Sequence, residues 1–233
     1  MKASRDYTSC LQSISASGRW LRCTASLEHN HGVTVDNDAV KLGSLIHDKA
    51  RQKLECYRKG EQYMDYDDEV GEVVNEYFVH FIKKLCDMNA TDYQVEKELK
   101  INWYGIEKKG IIDLLIENDE EIYICDLKSG YNRVAVEEDG EPNYQLAMYA
   151  IGLIQEKPER QNKKITLAIC QPTIKNIHER TYTVDDLTDF YNSKLSKMNE
   201  IQQRELEYAP HTVACKYCNY RIRCAERFRQ GVV

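Results

Sequence analysis

Two aspartates and a lysine fall close together in this chain on what reads as one β-hairpin. The first strand is Gly110-Ile111-Ile112-Asp113-Leu114-Leu115-Ile116, the turn runs from Glu117 to Glu121, and the second strand is Ile122-Tyr123-Ile124-Cys125-Asp126-Leu127-Lys128. Side chains alternate faces along a strand, so Asp126 and Lys128 point the same way, and the neighbouring strand can bring Asp113 beside them. Carboxylates on strands this apolar need a compensating cation, because an isolated buried charge costs roughly several kcal/mol. One lysine cannot neutralise two aspartates; a divalent ion can, and oxygen ligands suit Mg2+ or Mn2+. The competing reading is a structural salt bridge from Lys128 to one aspartate at the rim of a sheet.

The flanks add further polar groups. After Pro142, Asn143-Tyr144-Gln145-Leu146-Ala147-Met148-Tyr149-Ala150 reads as a helix start, with Gln145 and Tyr149 one turn apart on a shared face. Upstream, Gly43-Ser44-Leu45-Ile46-His47 sits in another helical pattern, in which Leu45, Ile46, Ala50 and Leu54 supply an apolar stripe.

Taken in order, Gly-x-x-x-His, Gly-x-x-Asp, Asp-x-Lys and Gln-x-x-x-Tyr resemble the RecB-type branch of the PD-(D/E)xK nuclease superfamily. The resemblance implies that His47, Asp113 and Asp126, with the backbone carbonyl of Leu127, hold one or two Mg2+ or Mn2+ ions. It implies also that Lys128 acts on the attacking water or the developing charge, and that Gln145 and Tyr149 border the site. Many relatives have glutamate at the second acidic position, where Asp126 stands here. Glu98, in the alternating stretch 93–101, is a further candidate, although an exposed strand face would carry the same charges.

Nine cysteines, an odd number, with no secretory apolar segment at the start, argue against a disulfide framework. Cys56, Cys86, Cys125 and Cys170 lie in apolar helical or strand patterns and read as core. Cys215-x-x-Cys218, with Cys224 beyond, lies in a short polar and basic segment with too little apolar content to bury three thiols, and such thiolates need a metal. Cys10, Cys23 and His211 are available as a fourth ligand. Cys23 follows Ser17-Gly18-Arg19-Trp20-Leu21-Arg22, a segment similar to the opening element of the iron-sulfur RecB-type nucleases, which include CRISPR-associated exonucleases and phage-encoded relatives. That resemblance spans about residues 15–224 and implies a 4Fe-4S cluster on Cys23, Cys215, Cys218 and Cys224. Proline often follows the first cysteine in those relatives; Thr24 stands here. Zinc on the same four thiolates is the alternative, since four-cysteine sites serve both metals.

The expected elements are helices near 13–27, 36–58 and 67–88, a strand near 93–104, the hairpin, a helix at 143–156, strands at 164–171 and 178–184, and a helix at 185–207. They suit an α/β fold of restriction-endonuclease-like type, a mixed central sheet flanked by helices, with the N- and C-terminal segments joined by the four-cysteine site. A single domain is expected over 1–233, its core at about 36–207 and its cluster-binding segments at about 13–27 and 208–230. Asp67, Asp68 and Glu69 read as the first turn of a helix, where acids favour the dipole. At 42% apolar and 30% charged the composition is that of a cytosolic globular protein, and no apolar run reaches membrane-spanning length.

A net charge of −6 is low for a nucleic-acid enzyme, but from Cys215 to Gln230 five basic residues stand against one acid. Arg221 and Arg223 in that tail are candidate DNA contacts. The resulting expectation is a metal-dependent DNA exonuclease acting on ends or single strands in phage-type recombination or replication, located in the cytoplasm, the host's if phage-encoded. A recombination or replication protein is the expected partner. A structure-selective endonuclease and an inactive, cluster-stapled DNA-binding subunit are the rivals.

Overall fold

The structure is a computed structural model that describes residues 13–30, 38–63, 65 and 67–232. Cys10 and residues 36–37 of the expected second helix lie outside the described residues. Along the chain come α1 (Ser17–Trp20), α2 (Ser26–Asn30), α3 (Asp38–Lys59), α4 (Glu69–Asp87), β1 (Tyr93–Trp103), β2 (Ile106–Glu117) and β3 (Glu121–Leu127). The short strands β4 (Glu137–Glu138) and β5 (Glu141–Pro142) precede α5 (Tyr144–Glu156). Then follow β6 (Lys164–Gln171), β7 (Asn176–Tyr182), α6 (Val184–Ser193), α7 (Leu195–Gln203), α8 (Thr212–Lys216) and α9 (Ala225–Arg229).

The central sheet is mixed, in the order β1-β2-β3-β6-β7. Only β3 and β6 pair in parallel, and α5 makes the crossover between them. β3 and β6 are buried on both faces, which is why Ile122–Leu127 and Ile165–Cys170 read as nearly unbroken apolar runs. The β1–β2 hairpin turns at Tyr104 and Gly105, both at positive φ (52° and 82°), the geometry of a tight two-residue turn.

One face of the sheet packs Leu99, Ile101, Trp103, Ile112 and Leu115 against α5, α6 and the segment at Ile14–Leu27. The other packs Tyr93, Leu114, Ile116 and Tyr123 against Ile46, Ala50 and Leu54 of α3 and Val74, Tyr77 and Phe81 of α4. In β1, Tyr93 and Val95 serve the α3–α4 layer, whereas Leu99, Ile101 and Trp103, equally odd-numbered, serve the α5 layer. β2 switches in step, Ile112 facing α5 and Leu114 facing α3–α4. The exchange is centred on Glu96, which has φ of 48°, and on Asp113 directly across from it.

Three expectations fail. The helix at 13–27 is broken into a 3-10 turn, α1 and α2, because the backbone around Thr24 and Ala25 bonds the chain near Glu207: Ala25 N donates to Glu207 O at 3.0 Å and Glu207 N to Thr24 Oγ1 at 2.9 Å. The helix at 185–207 is two helices that part at Lys194, whose buried ammonium turns inward over the Tyr144 and Phe190 rings to pair with Glu141. Leu45 and Cys86 are exposed; the buried stripe of α3 runs through Ile46, Ala50 and Leu54, and Cys86 sits in the last turns of α4, off its buried face. Asp68 does cap α4, accepting from Gly71 N at 2.7 Å.

Candidate active site

Four elements converge on the acidic pair. His47 comes from α3, Asp113 from the middle of β2, Asp126 and Lys128 from the end of β3, and Gln145 and Tyr149 from the first turns of α5. Asn143 caps α5 through Gln145 N and Leu146 N, which fixes where Gln145 starts its reach. The Asp113 carboxylate lies with Oδ1 3.5 Å from His47 Nδ1 and with Oδ2 accepting from Leu127 N at 2.8 Å. Gln145 Nε2 donates to Asp126 Oδ1 at 2.7 Å and to Tyr149 Oη at 3.2 Å, while Gln145 Oε1 accepts from Lys128 Nζ at 3.2 Å.

The remaining Asp126 oxygen is the informative one. Oδ2 is buried and pairs with the Lys128 ammonium at 2.7 Å. Asp126 is only 4% exposed. Burial pushes its carboxyl pKa up; Lys128 opposes that and the charge of Asp113 adds to it. For Lys128 burial pulls the ammonium down, but Asp126 outweighs it and the pKa is raised. The His47 ring follows the same pattern: burial lowers it, Asp113 and then Asp126 more than compensate, and it ends above its ordinary value. Burial also pushes the Tyr149 phenol up, so it stays a neutral hydroxyl. The pocket therefore favours positive charge beside its carboxylates.

Among the described residues, no three His, Cys, Asp or Glu side chains are gathered tightly enough to hold a metal ion as they stand. The donor chemistry nonetheless suits a hard divalent cation: two carboxylates, one of them buried, and an imidazole. Closing around an ion takes side-chain movement.

Glu98 and Glu96 part company on β1. Glu98 lines a groove with Leu99, Lys100, Ile111 and Glu156, whereas Glu96 lines the cavity that holds His47, Asp113 and Leu127. Alternation along an unbroken strand puts 96 and 98 on one face, and the left-handed backbone at Glu96, which costs a non-glycine residue about 1–2 kcal/mol, separates them. Nothing local in the sequence signals that conformation.

Cys23, Cys215, Cys218 and Cys224 line one small cavity together with His29, Tyr208 and Tyr220. Asn30 Nδ2 donates to Cys218 Sγ at 3.4 Å, and its Oδ1 accepts from Asn219 N at 2.9 Å, so this buried amide ties α2 to the C-terminal segment. The His29 ring stacks on Tyr220 with centroids 3.8 Å apart and meets Tyr208 Oη at 2.8 Å. Burial pushes the Cys23 and Cys215 thiols up, and neighbouring cysteine charge adds to it. His211 instead caps α8 and meets Asp139 at 2.9 Å.

A groove of about 480 Å³ opens from Lys128 and Gln145 past Arg19, Arg22 and Tyr217. It shares Val134, Asn143 and Tyr217 with a second depression lined by Arg133, Lys216, Arg221 and Arg227. Glu138 is the acid common to both. Among the described residues no carboxylate lies within ion-pair distance of Arg19, Arg22, Lys216, Arg221 or Arg227. Arg223 is exposed and lines neither depression.

The fold is similar to a crystal structure from Eubacterium rectale whose protein is named as a proposed exonuclease: TM-score 0.54, 12% identity, 100% of both chains covered. A second structure, of a protein named SSO0001, is 14% identical over 92% of this chain and 85% of its own, at a TM-score of 0.41. At such identity the first likeness shows the mixed α/β fold alone. A family match runs from residue 10 to residue 232, through both cysteine-bearing segments and every acidic residue of the pocket, and the chain belongs to that family, described as Protein of unknown function (DUF2800).

Proposed function

We propose that the protein is a metal-dependent DNA nuclease, an exonuclease working on DNA ends or single strands in phage-type recombination or replication. The observation that carries this reading is the meeting of two carboxylates, Asp113 and the buried Asp126, with His47 on one and Lys128 on the other. A purely structural Lys128–Asp126 ion pair would need no second acid next to it. The exonuclease name of the E. rectale neighbour agrees with this reading.

His47, Asp113, Asp126 and the carbonyl of Leu127 would hold Mg2+ or Mn2+, which supplies Lewis acidity and an acidified water. Gln145 fixes the Asp126 carboxylate and the Lys128 ammonium in one frame, since its amide bonds both. Lys128, kept protonated by Asp126, presents a preorganised positive charge where the phosphate becomes more negative. The groove leading from Lys128 and the depression beside it offer Arg19, Arg22, Lys216, Arg221 and Arg227, which among the described residues have no carboxylate at ion-pair distance, for the phosphates, and Tyr217 for a base.

The four cysteines, which line one cavity, would hold a 4Fe-4S cluster, as the resemblance to the iron-sulfur RecB-type nucleases implies, with zinc on the same thiolates as the alternative. Joining residue 23 to residue 215, such a site would act as a long-range cross-link.

End-labelled linear and circular DNA, single- and double-stranded, incubated with Mn2+ and either the parent or Asp113→Ala, test the proposal. Loss of label from linear DNA only, abolished by the substitution, is expected. Cleaved circles would make it an endonuclease, and no Asp113-dependent cleavage of any DNA would remove the nuclease reading.

A further inference from the structure

We propose that Glu96 is a ligand to the divalent cation, acting with His47 and Asp113, and that Arg51 holds it aside when no ion is bound. The inference rests on the metal-dependent reading above and adds a residue to it. Val95 faces Leu114 and Lys97 faces Ile112, so the residues between them, Glu96 and Asp113, stand directly across from one another. It is at this one step that β1 takes a positive φ and both strands exchange the layers they serve. Strain of this kind in a non-glycine residue collects at functional sites. If turning the strand over were the sole requirement, glycine would meet it without strain.

The consequence is positional: Glu96 shares a cavity with His47, Asp113 and Leu127. Its carboxylate is engaged there by Arg51, whose Nε lies 3.2 Å from Glu96 Oε2. Arg51 also reaches Glu55 at 3.2 Å and Asp48 at 3.7 Å, and so remains neutralised when Glu96 leaves. At 31% and 42% side-chain exposure the Arg51–Glu96 pair is partly solvated, so exchanging it for an ion is inexpensive. Asp126, 4% exposed and matched by the one ammonium of Lys128, brings a second carboxylate to the strand pair that carries Asp113. A further carboxylate in the cavity of His47 and Asp113 provides a hard oxygen donor of the kind Mg2+ and Mn2+ take.

Mn2+ titration by calorimetry on the full chain, with thermal unfolding in EDTA alongside, tests this on the parent, Glu96→Gln, Glu96→Gly and Asp113→Ala. Glu96→Gln keeps size and polarity and is expected to weaken Mn2+ at least tenfold. Glu96→Gly is expected to weaken it as much while raising the EDTA unfolding midpoint by about 2–4 °C, through relief of the left-handed strain. Parent-like Mn2+ affinity in Glu96→Gln overturns the inference. So does a Glu96→Gly protein that binds Mn2+ like the parent, since Glu96 would then serve only the turn in the strand. Asp113→Ala tells which idea has failed: if it loses Mn2+ while Glu96→Gln does not, only the role of Glu96 falls; if it too keeps Mn2+, the metal site itself lies elsewhere.

Discussion

The ring of Tyr149 lies against the backbone of Gly110: a Cβ on that glycine would come 2.6 Å from Tyr149 Cε1 and 2.9 Å from Ile14 Cδ1. This contact explains the glycine of the Gly-x-x-Asp pattern three residues before Asp113. Tyr149 accepts from Gln145, and Gln145 holds both Asp126 and Lys128, so the missing side chain sets the height of α5 over the acidic pair. Gly110→Ala should destabilise the protein by about 1–3 kcal/mol through overpacking. It should also lower cleavage more than Tyr149→Phe, which keeps the ring and loses one 3.2 Å bond. Chemical denaturation and single-turnover rates on the two variants check both halves.

A second prediction concerns acid. Burial would raise the Glu117 carboxyl, but Arg160 and Lys163 more than reverse that and hold it at about 2, against an ordinary 4.5. A depressed folded-state pKa gives stability that is full above the unfolded value and is lost as pH falls. The contribution should therefore fade between pH 4.5 and about 2. Glu117→Gln should be less stable than the parent at neutral pH and should lose less on acidification through that window, measured by urea unfolding at several pH values.

Much of this architecture was legible from residue types. The apolar runs of β3 and β6 and the capped start of α5 declare themselves, because burial on two faces and an N-cap leave local marks. Of the motif residues, His47 meets Asp113 in one contact and Asp126, Lys128, Gln145 and Tyr149 form one bonded set on the adjoining strand and helix. What stayed hidden depends on distant partners. Thr24 ends a helix only because Glu200 and Glu207 bond it from far along the chain. Glu96 reads as an ordinary exposed strand position until the layer exchange places it opposite Asp113. The aromatic stack of His29 on Tyr220 closes the cysteine cavity from residues 191 apart in sequence, a relation no spacing rule reaches.

The two tail arginines should behave differently. Arg221 lines the second depression, which adjoins the groove, and Arg223 lines neither. Arg221→Gln should weaken single-stranded DNA binding and reduce the salt slope by about 0.7 for the lost phosphate contact, whereas Arg223→Gln should leave the slope unchanged. Binding titrations over a range of salt separate the cases; equal effects would mean that the groove does not select the contact.

For the cysteine site, anaerobically purified protein should be brown with broad absorbance near roughly 400 nm, the charge-transfer colour of iron-sulfur clusters. Cys218→Ser should abolish the colour. Asn30→Ala, which removes the 3.4 Å donor to Cys218 Sγ, should keep the colour and shift the cluster's potential downward, since hydrogen bonds to sulfur favour the reduced state. Colourless protein with stoichiometric zinc would contradict the cluster.

Lys128 carries the most direct test, because a nuclease needs its charge and a DNA-binding subunit does not. Mn2+ calorimetry and single-turnover cleavage on Lys128→Ala answer it together. The account predicts a rate lower by about 10²–10³-fold, with Mn2+ bound at least as tightly as in the parent, because one positive charge has left the neighbourhood of Asp126. Cleavage at the parent's rate, or loss of metal and fold together, would make Lys128 a structural partner of Asp126 and contradict the mechanism.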